Sequence, residues 1–491
     1  MAIRKVLGTE TEFGIAAMTD PDFNPALASA AVVNSSPVPG VRVQWSHDEE
    51  TPERDARSQG HESFGVSDPQ RALVNAVLVN GARLYVDHAH PEYSTPECYD
   101  PLEATLHDQA GVVVAHRAAV AATERTGHRL ALYKNNSDGK GNSYGSHENY
   151  LLDRQTPFGT IIRYCVPFFV TRQIFTGSGK VGSENGRPDV DYQITQRADF
   201  FEEEVGLETT LKRPIVNTRD EPHGEPSRYR RLHVIIGDAN LSDVQIYLKL
   251  GVTALFLAAM EDGAIPRPLD LADPVEACWR ISHDTDLTEP VKLLDEGSAT
   301  SVEIQMKYHE WLSSYAEGLE DADEWRPVLD EWGAVLTDLE VDADRAADRL
   351  DWVAKRTLLR AMTDRHGLDP QSARLRSVDL QYHDVDPERS LHRRLVDRGR
   401  IRRLFTDEEV EEATLTPPDR TRAYFRGETV RRFPDAVAAA NWDALVFDTG
   451  EKHLKRVPMM DPLRGNRNKT ERLLDEAEDA AALLEALGGS G

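Results

Sequence analysis

The run Gly8-Thr9-Glu10-Thr11-Glu12-Phe13-Gly14 reads as a strand in which Glu10 and Glu12 stand two residues apart. Side chains at that spacing share one face of a strand, so two carboxylates are presented side by side. They repel unless a cation or a shared proton lies between them, and oxygen ligands of this kind suit Mg²⁺ held beside nucleotide phosphates. The stretch points to a sheet with one polar, metal- and nucleotide-binding face. Alone, it also fits an exposed edge strand carrying two solvated glutamates.

Outward along the chain the same pattern recurs. In Gly81 to Glu97, a short apolar strand from Leu84 to Val86 runs into a turn assigned to Pro91, which leaves Asp87 at a strand end. A carboxylate there can accept a proton or attack an electrophile while the backbone behind it stays rigid. Glu92, just past the proline, is a third candidate metal carboxylate, whereas His88 and His90 read as ordinary loop histidines. In Tyr144-Gly145-Ser146-His147-Glu148-Asn149-Tyr150, His147 and Asn149 face one way and Glu148 the other. In Arg230 to Asn240, Arg231 and His233 alternate with Leu232 and Val234 on a strand that enters a glycine turn. Separate strands thus each deliver carboxylate, imidazole or guanidinium at alternate positions, which structural needs alone seldom produce. On this reading Glu10, Glu12, Glu92, His147 and His233 supply ligands for Mg²⁺ bridging nucleotide phosphates, and arginines neutralise the remaining charge.

Composition sets the outer limits. The chain has 491 residues and a formal charge of −27, which argues against nucleic acid as a partner. Cys98, Cys165 and Cys278 lack metal-ligand spacing and are odd in number, so a reducing cytoplasm is the expected compartment. No basic and apolar signal segment opens the chain, and the apolar stretch from Val244 to Met260 contains Lys249; it reads as a buried helix, with no membrane partner expected. Helices are predicted near Leu102 to Thr126, across Trp325 to Leu339 and across Arg345 to Met362, where apolar residues recur every three or four positions. Thr416-Pro417-Pro418-Asp419 marks a boundary, dividing a large domain over 1–415 from a small one over 416–491 that ends in a helix from Lys469 to Leu487. Residues 16–66 are polar and read as a flexible loop outside the core. Thr176 to Gly182 imitates a P-loop, but it lacks the first glycine and has Val181 where a magnesium-binding hydroxyl belongs.

The motifs quoted above, with Asn80 to Tyr93, Thr195-Gln196-Arg197-Ala198-Asp199, Asn217 to Pro222 and Arg231 to Asn240, resemble the Pup ligase/depupylase family, relatives of the glutamine synthetase-like carboxylate-amine ligases. Weaker echoes lie in Leu380 to Asp384 and Thr421 to Gly427. The Asp87-His88-Ala89-His90-Pro91-Glu92 turn has the depupylase spacing, and the 16–66 insertion stands where ligase chains are short.

The resemblance implies an α+β fold with a curved, mainly antiparallel sheet backed by helices, and a small C-terminal domain. It implies metal positions at Glu10, Tyr85, Glu92, His147 and His233, and ATP contacts from Gly8, Thr9, Glu10, Thr11 and Glu12, extended by Asn149, Arg231, Arg426 and Trp442. It makes Asp87 the catalytic aspartate, as nucleophile or general base. Tyr85 is an unusual metal ligand and could instead orient Asp87. Arg197 and Arg219 suit either the γ-phosphate or a terminal glutamyl carboxylate. The implied reaction is hydrolysis of an amide on the side-chain carboxyl of Pup's last residue, with ATP and Mg²⁺ as cofactors, Pup and pupylated proteins as partners, and the insertion as a lid; a monomer is expected, with the oligomeric state left open. A Pup–protein ligase, a small-molecule carboxylate-amine ligase and a non-catalytic nucleotide sensor are the alternatives. Pup is acidic, so Arg228 to Arg231 and the arginines from Arg393 to Arg403 are candidate docking patches, the second also fitting an internal ion-pair network.

Overall fold

In a computed structural model, residues 2–17, 23–45, 55–56, 74–295 and 297–488 are described. The strands of the principal sheet, in chain order, are β1 (Leu7–Glu12), β2 (Gly40–Val41), β3 (Asn75–Leu78), β4 (Arg83–Asp87), β5 (His90–Ser94), β6 (Ser146–Asp153) and β7 (Tyr229–Val234). They lie in the order β7-β6-β1-β5-β4-β3-β2, with every pair antiparallel. The decisive stretch is therefore central, not an edge.

The pleat separates two chemistries. Register pairs Glu10 with His147 and Ser94, Glu12 with Glu92, Tyr85 with Glu92, and His233 with Asn149, so all these side chains rise on one face. On the other face Leu7, Leu84, Tyr93, Tyr150, Leu152, Leu232 and Val234 are buried. Two polar members of that hidden face are paired: Arg172 donates to both carboxylate oxygens of Glu148 at 2.6 and 2.9 Å, and Thr9 Oγ1 donates to Asp108 at 2.9 Å. Glu148 thus points away from His147 and Asn149, as its alternation requires.

Helices Pro101–Thr126 and Asp243–Glu261 back the sheet, and Phe158–Thr171, Ser301–Ala316 and Ala322–Val341 extend that layer. Asp243–Glu261 is long and apolar enough to span a membrane, but it is a buried core helix, and the Lys249 ammonium is satisfied by the Asp238 carbonyl at 2.9 Å. The C-terminal helix expected from Lys469 to Leu487 is two helices, Arg467–Glu476 and Ala480–Gly488.

The insertion corrects the reading of 16–66 as a loop outside the core. Within it, Pro25–Ser35 is a helix with Asn24 as its side-chain cap and proline at its first turn. Val32 and Val33 are buried against Leu84, Tyr93 and Val114. The insertion also supplies β2 and a short strand, Gln44–Trp45, which pairs in parallel with Val437–Ala440 of the C-terminal sheet. The remainder of the expected lid lies largely outside the described residues.

Candidate active site

Glu10 is the hub of the polar face. His147 Nδ1 lies 3.2 Å from its Oε2, Asn149 Nδ2 donates to its Oε1 at 3.0 Å, and Arg231 stands 3.7 Å from that same oxygen. Burial alone would raise the carboxyl's pKa, but His147, His233 and Arg231 hold it well below the usual carboxylate range. Asn149 Oδ1 accepts from an Arg231 guanidinium nitrogen at 2.6 Å and from His233 Nδ1 at 3.0 Å. That assignment puts the His233 proton on Nδ1 and leaves a lone pair on Nε2. Burial pushes the His233 pKa well down, so the ring is neutral, and its buried Nε2 has no hydrogen-bond partner among the described residues. Ligand atoms of Glu10, His147 and His233 lie within 4.8 Å of one another. An orphaned imidazole nitrogen facing an ionised carboxylate and a second imidazole is a donor set a divalent cation fits.

A second group adjoins it, where ligand atoms of Glu12, Asp87 and His88 lie within 4.8 Å of one another. His90 Nδ1 is 3.3 Å from Glu12, and its ring stacks on Tyr144 at 4.5 Å. His88 Nδ1 is 2.7 Å from Asp87. The two histidines read as ordinary loop residues therefore face the site's carboxylates. Tyr85 donates its hydroxyl to Glu92 at 2.5 Å, so the contact seen for it orients Glu92. Burial raises the Glu92 pKa well above the carboxylate range, and Asp87, Glu10 and Glu12 add to the effect. A cation among these oxygens would relieve that repulsion.

Asp87 closes β4 as expected, but the turn is not Pro91's work. Asp87 pairs with His90 across a two-residue loop, and His88 and Ala89 have φ of 45° and 72°. Non-glycine residues in this left-handed region cost about 1–2 kcal/mol each, so the turn is strained beside the carboxylate it carries.

Arginines line the remainder of a cleft of about 920 Å³ that includes Glu10, Asp87, His147, His233, Arg197, Arg219 and Trp442. Arg197 is fixed by the Ile235 and Gly237 carbonyls and by Ser143. Burial, with Arg213 nearby, pushes its pKa down to about 9. Arg219 is likewise lowered by burial and by Arg231, and its buried Nε has no hydrogen-bond partner among the described residues. Crowded, partly unsatisfied guanidiniums of this kind fit an anion. Arg213 gave no local signal in the sequence; it enters the cleft wall because its strand and the Ser143 loop converge, Arg213 donating to the Ser143 carbonyl at 2.7 Å.

Beside Glu10 and Arg231 the cleft continues into a recess walled by Gly8, Pro96, Leu151, Trp442 and Pro462. Three expected nucleotide contacts do not present their side chains there. Thr9 bonds Asp108 on the other face, Thr11 is buried on that face, and Arg426 lies behind Trp442, donating to its carbonyl, to Gly81 and to Glu97. The basic patches are also mostly spent: Arg393 and Arg403 pair with Asp407, Arg403 with Asp243, Arg402 with Glu331, and Arg228 with Asp461. The Thr176 to Gly182 segment is internal, with Lys180 paired to Glu184 and Asp199.

The family model described as Pup-ligase protein matches residues 5–446. The chain belongs to the Pup-ligase family. Among relatives of that family, a depupylase of Acidothermus cellulolyticus is 48% identical over 99% of this chain and 100% of its own length. A Pup deamidase/depupylase of Mycolicibacterium smegmatis is 46% identical over 99% of this chain and 100% of its own. The solved ligase PafA in complex with Pup superposes with a TM-score of 0.81 at 32% identity, covering 99% of this chain and 95% of PafA. PafA in complex with ADP gives 0.75 at 33%, covering 88% and 98%. The antiparallel sheet backed by helices is thus the architecture of the Pup-ligase family.

Proposed function

We propose that this chain is an ATP- and Mg²⁺-dependent Pup hydrolase, which deamidates the C-terminal glutamine of Pup and cleaves the isopeptide bond of pupylated proteins. The observation that carries the reading is the placement of Asp87: a carboxylate on a strained turn, at the edge of a cleft with a metal-type donor set on one side and buried arginines on the other. The depupylase relatives match at 46–48% identity over 99% of this chain and Pup–protein ligase relatives at 40–41% over 82%, which favours hydrolysis over ligation.

Glu10, His147 and His233 would hold the metal, with Glu12 and Glu92 completing the oxygen set, and the recess at Gly8, Asn149, Arg231 and Trp442 would take the nucleotide. When bound, the metal supplies charge neutralisation for phosphate oxygens. Arg197 and Arg219 bind an anionic group, either a phosphate or the terminal carboxylate of Pup. Asp87 then either attacks the side-chain carbonyl carbon or takes a proton from water that attacks it. Both routes consume one water and release ammonia or the lysine amine. The free, buried cysteines fit the cytoplasm as the working compartment.

Mass spectrometry of Pup ending in glutamine, incubated with the enzyme and MgATP, tests the reading through conversion to Pup ending in glutamate. Stoichiometric ADP release with Pup and a lysine-bearing protein, without that conversion, would make the chain a ligase instead.

A further inference from the structure

The turn that carries Asp87 is held from outside by the helix of the insertion. Ser29, on Pro25–Ser35, is fully buried, and its Oγ donates to the Ala89 carbonyl at 2.7 Å. A buried serine on the packed side of a helix is a poor choice for helix formation and for apolar contact, where alanine serves better. Its hydroxyl therefore has a task. The helix itself is anchored, since Asn24 caps it, Arg125 at the end of Pro101–Thr126 donates to the Ala31 carbonyl at 3.1 Å, and Val32 and Val33 pack beside Leu84 and Tyr93. His88 and Ala89, at φ 45° and 72°, do not select this turn by their own preference.

We infer that Ser29 is a positioning residue, which keeps the Asp87 carboxylate at its working geometry by fixing the His88–Ala89 turn through the Ala89 carbonyl. The inference rests on Asp87 as the reactive carboxylate. Asp87 sits in the last rung of the hairpin, opposite His90, so a turn that relaxes toward another conformation swings the carboxylate relative to the cleft. A displacement of about 1 Å at a reacting group can cost about a hundredfold in rate, with little effect on how the bulk of a substrate binds.

The test uses the full chain with MgATP and Pup ending in glutamine, measuring kcat, KM and melting temperature. Ser29→Ala should lower kcat about tenfold or more while KM stays within about twofold. Ala89→Gly removes the turn's intrinsic penalty, so it should leave the parent's kcat within about threefold and restore Ser29→Ala to a similar value in the double variant. Unchanged kcat in Ser29→Ala overturns the inference. So does a loss that tracks a collapse of the melting transition and is not rescued by Ala89→Gly, because it would show Ser29 to be core packing only. Asp87→Asn, run in parallel, separates the two readings: if it retains activity, Asp87 is not the reactive group; if it is dead while Ser29→Ala is normal, only the positioning role fails.

Discussion

Asp87 and His233 make opposite demands on their surroundings. Asp87→Asn keeps shape and removes the charge that attacks or accepts a proton, so amide hydrolysis should fall by about 10²–10⁴ with nucleotide affinity nearly intact. Deamidation rates and a fluorescent-ATP titration check this, and turnover within about tenfold of the parent would remove Asp87 from the chemistry. His233→Ala deletes the imidazole whose Nε2 is left over after Asn149 binds Nδ1. Mg²⁺-dependent nucleotide binding should then weaken by about tenfold or more, while binding without metal changes little. Equal loss in both conditions would make His233 a structural residue. Tyr85 shows the limit of reading single residues: its hydroxyl engages Glu92, a partner seven residues along the chain that only the hairpin register brings opposite.

At the scale of elements, alternation disclosed β1, β6 and β7 and the face that each would expose, and a short apolar run ending in a carboxylate disclosed β4. That signal is local, since the strand period is fixed by the backbone. The turn was not legible in the same way, because His88-Ala89 carries none of the Asn-Gly or Asp-Gly preference of a two-residue hairpin loop. Its conformation comes from Ser29 and from packing. The helix Pro25–Ser35 did carry a local signal, an asparagine cap followed by proline, which the Ala-rich composition obscured. Arg426 turns away from the recess for a longer-range reason: with Arg422 it is drawn to Glu97, which follows β5, and their pairing ties the helix Ala423–Arg432 to the sheet. The two guanidiniums outweigh the effect of burial and bring the Glu97 pKa from 4.5 down to about 2. A depressed carboxylate contributes stability that is present above its unfolded pKa and lost as pH falls through the folded one. The Glu97 contribution should therefore be complete above about pH 4.5 and disappear toward pH 2. Glu97→Gln strands two buried arginines and should cost about 3 kcal/mol at pH 7, with a flatter acid limb in denaturant titrations between those limits. An unchanged acid limb would show that the pair is not an energetic link.

For the whole molecule, the C-terminal residues are bound to the chain's beginning. Val41 and Val77 of β2 and β3, together with Val79, share one core with Tyr424, Phe425, Val430, Leu445 and Phe447. Gln44–Trp45 adds a strand to the sheet of Val437–Ala440, Ala444–Phe447 and Lys455–Pro458, and Trp442 lines the cleft. Cutting at the Thr416-Pro417-Pro418-Asp419 boundary would open that shared core on both sides and leave Glu97 without its arginines. Exposure of fully buried Leu445, Phe447 and their partners costs on the order of 2 kcal/mol per large side chain, which for several such residues rivals the total stability of a domain. The fragments 1–415 and 416–491, expressed separately, should therefore each lack a cooperative thermal transition by circular dichroism. Co-expressed, they should reassociate, since the complementary faces remain intact. Fragment 1–415 melting alone as a sharp two-state unit with MgATP binding retained would show instead that the boundary divides independent domains, and that the nucleotide recess is complete without Trp442.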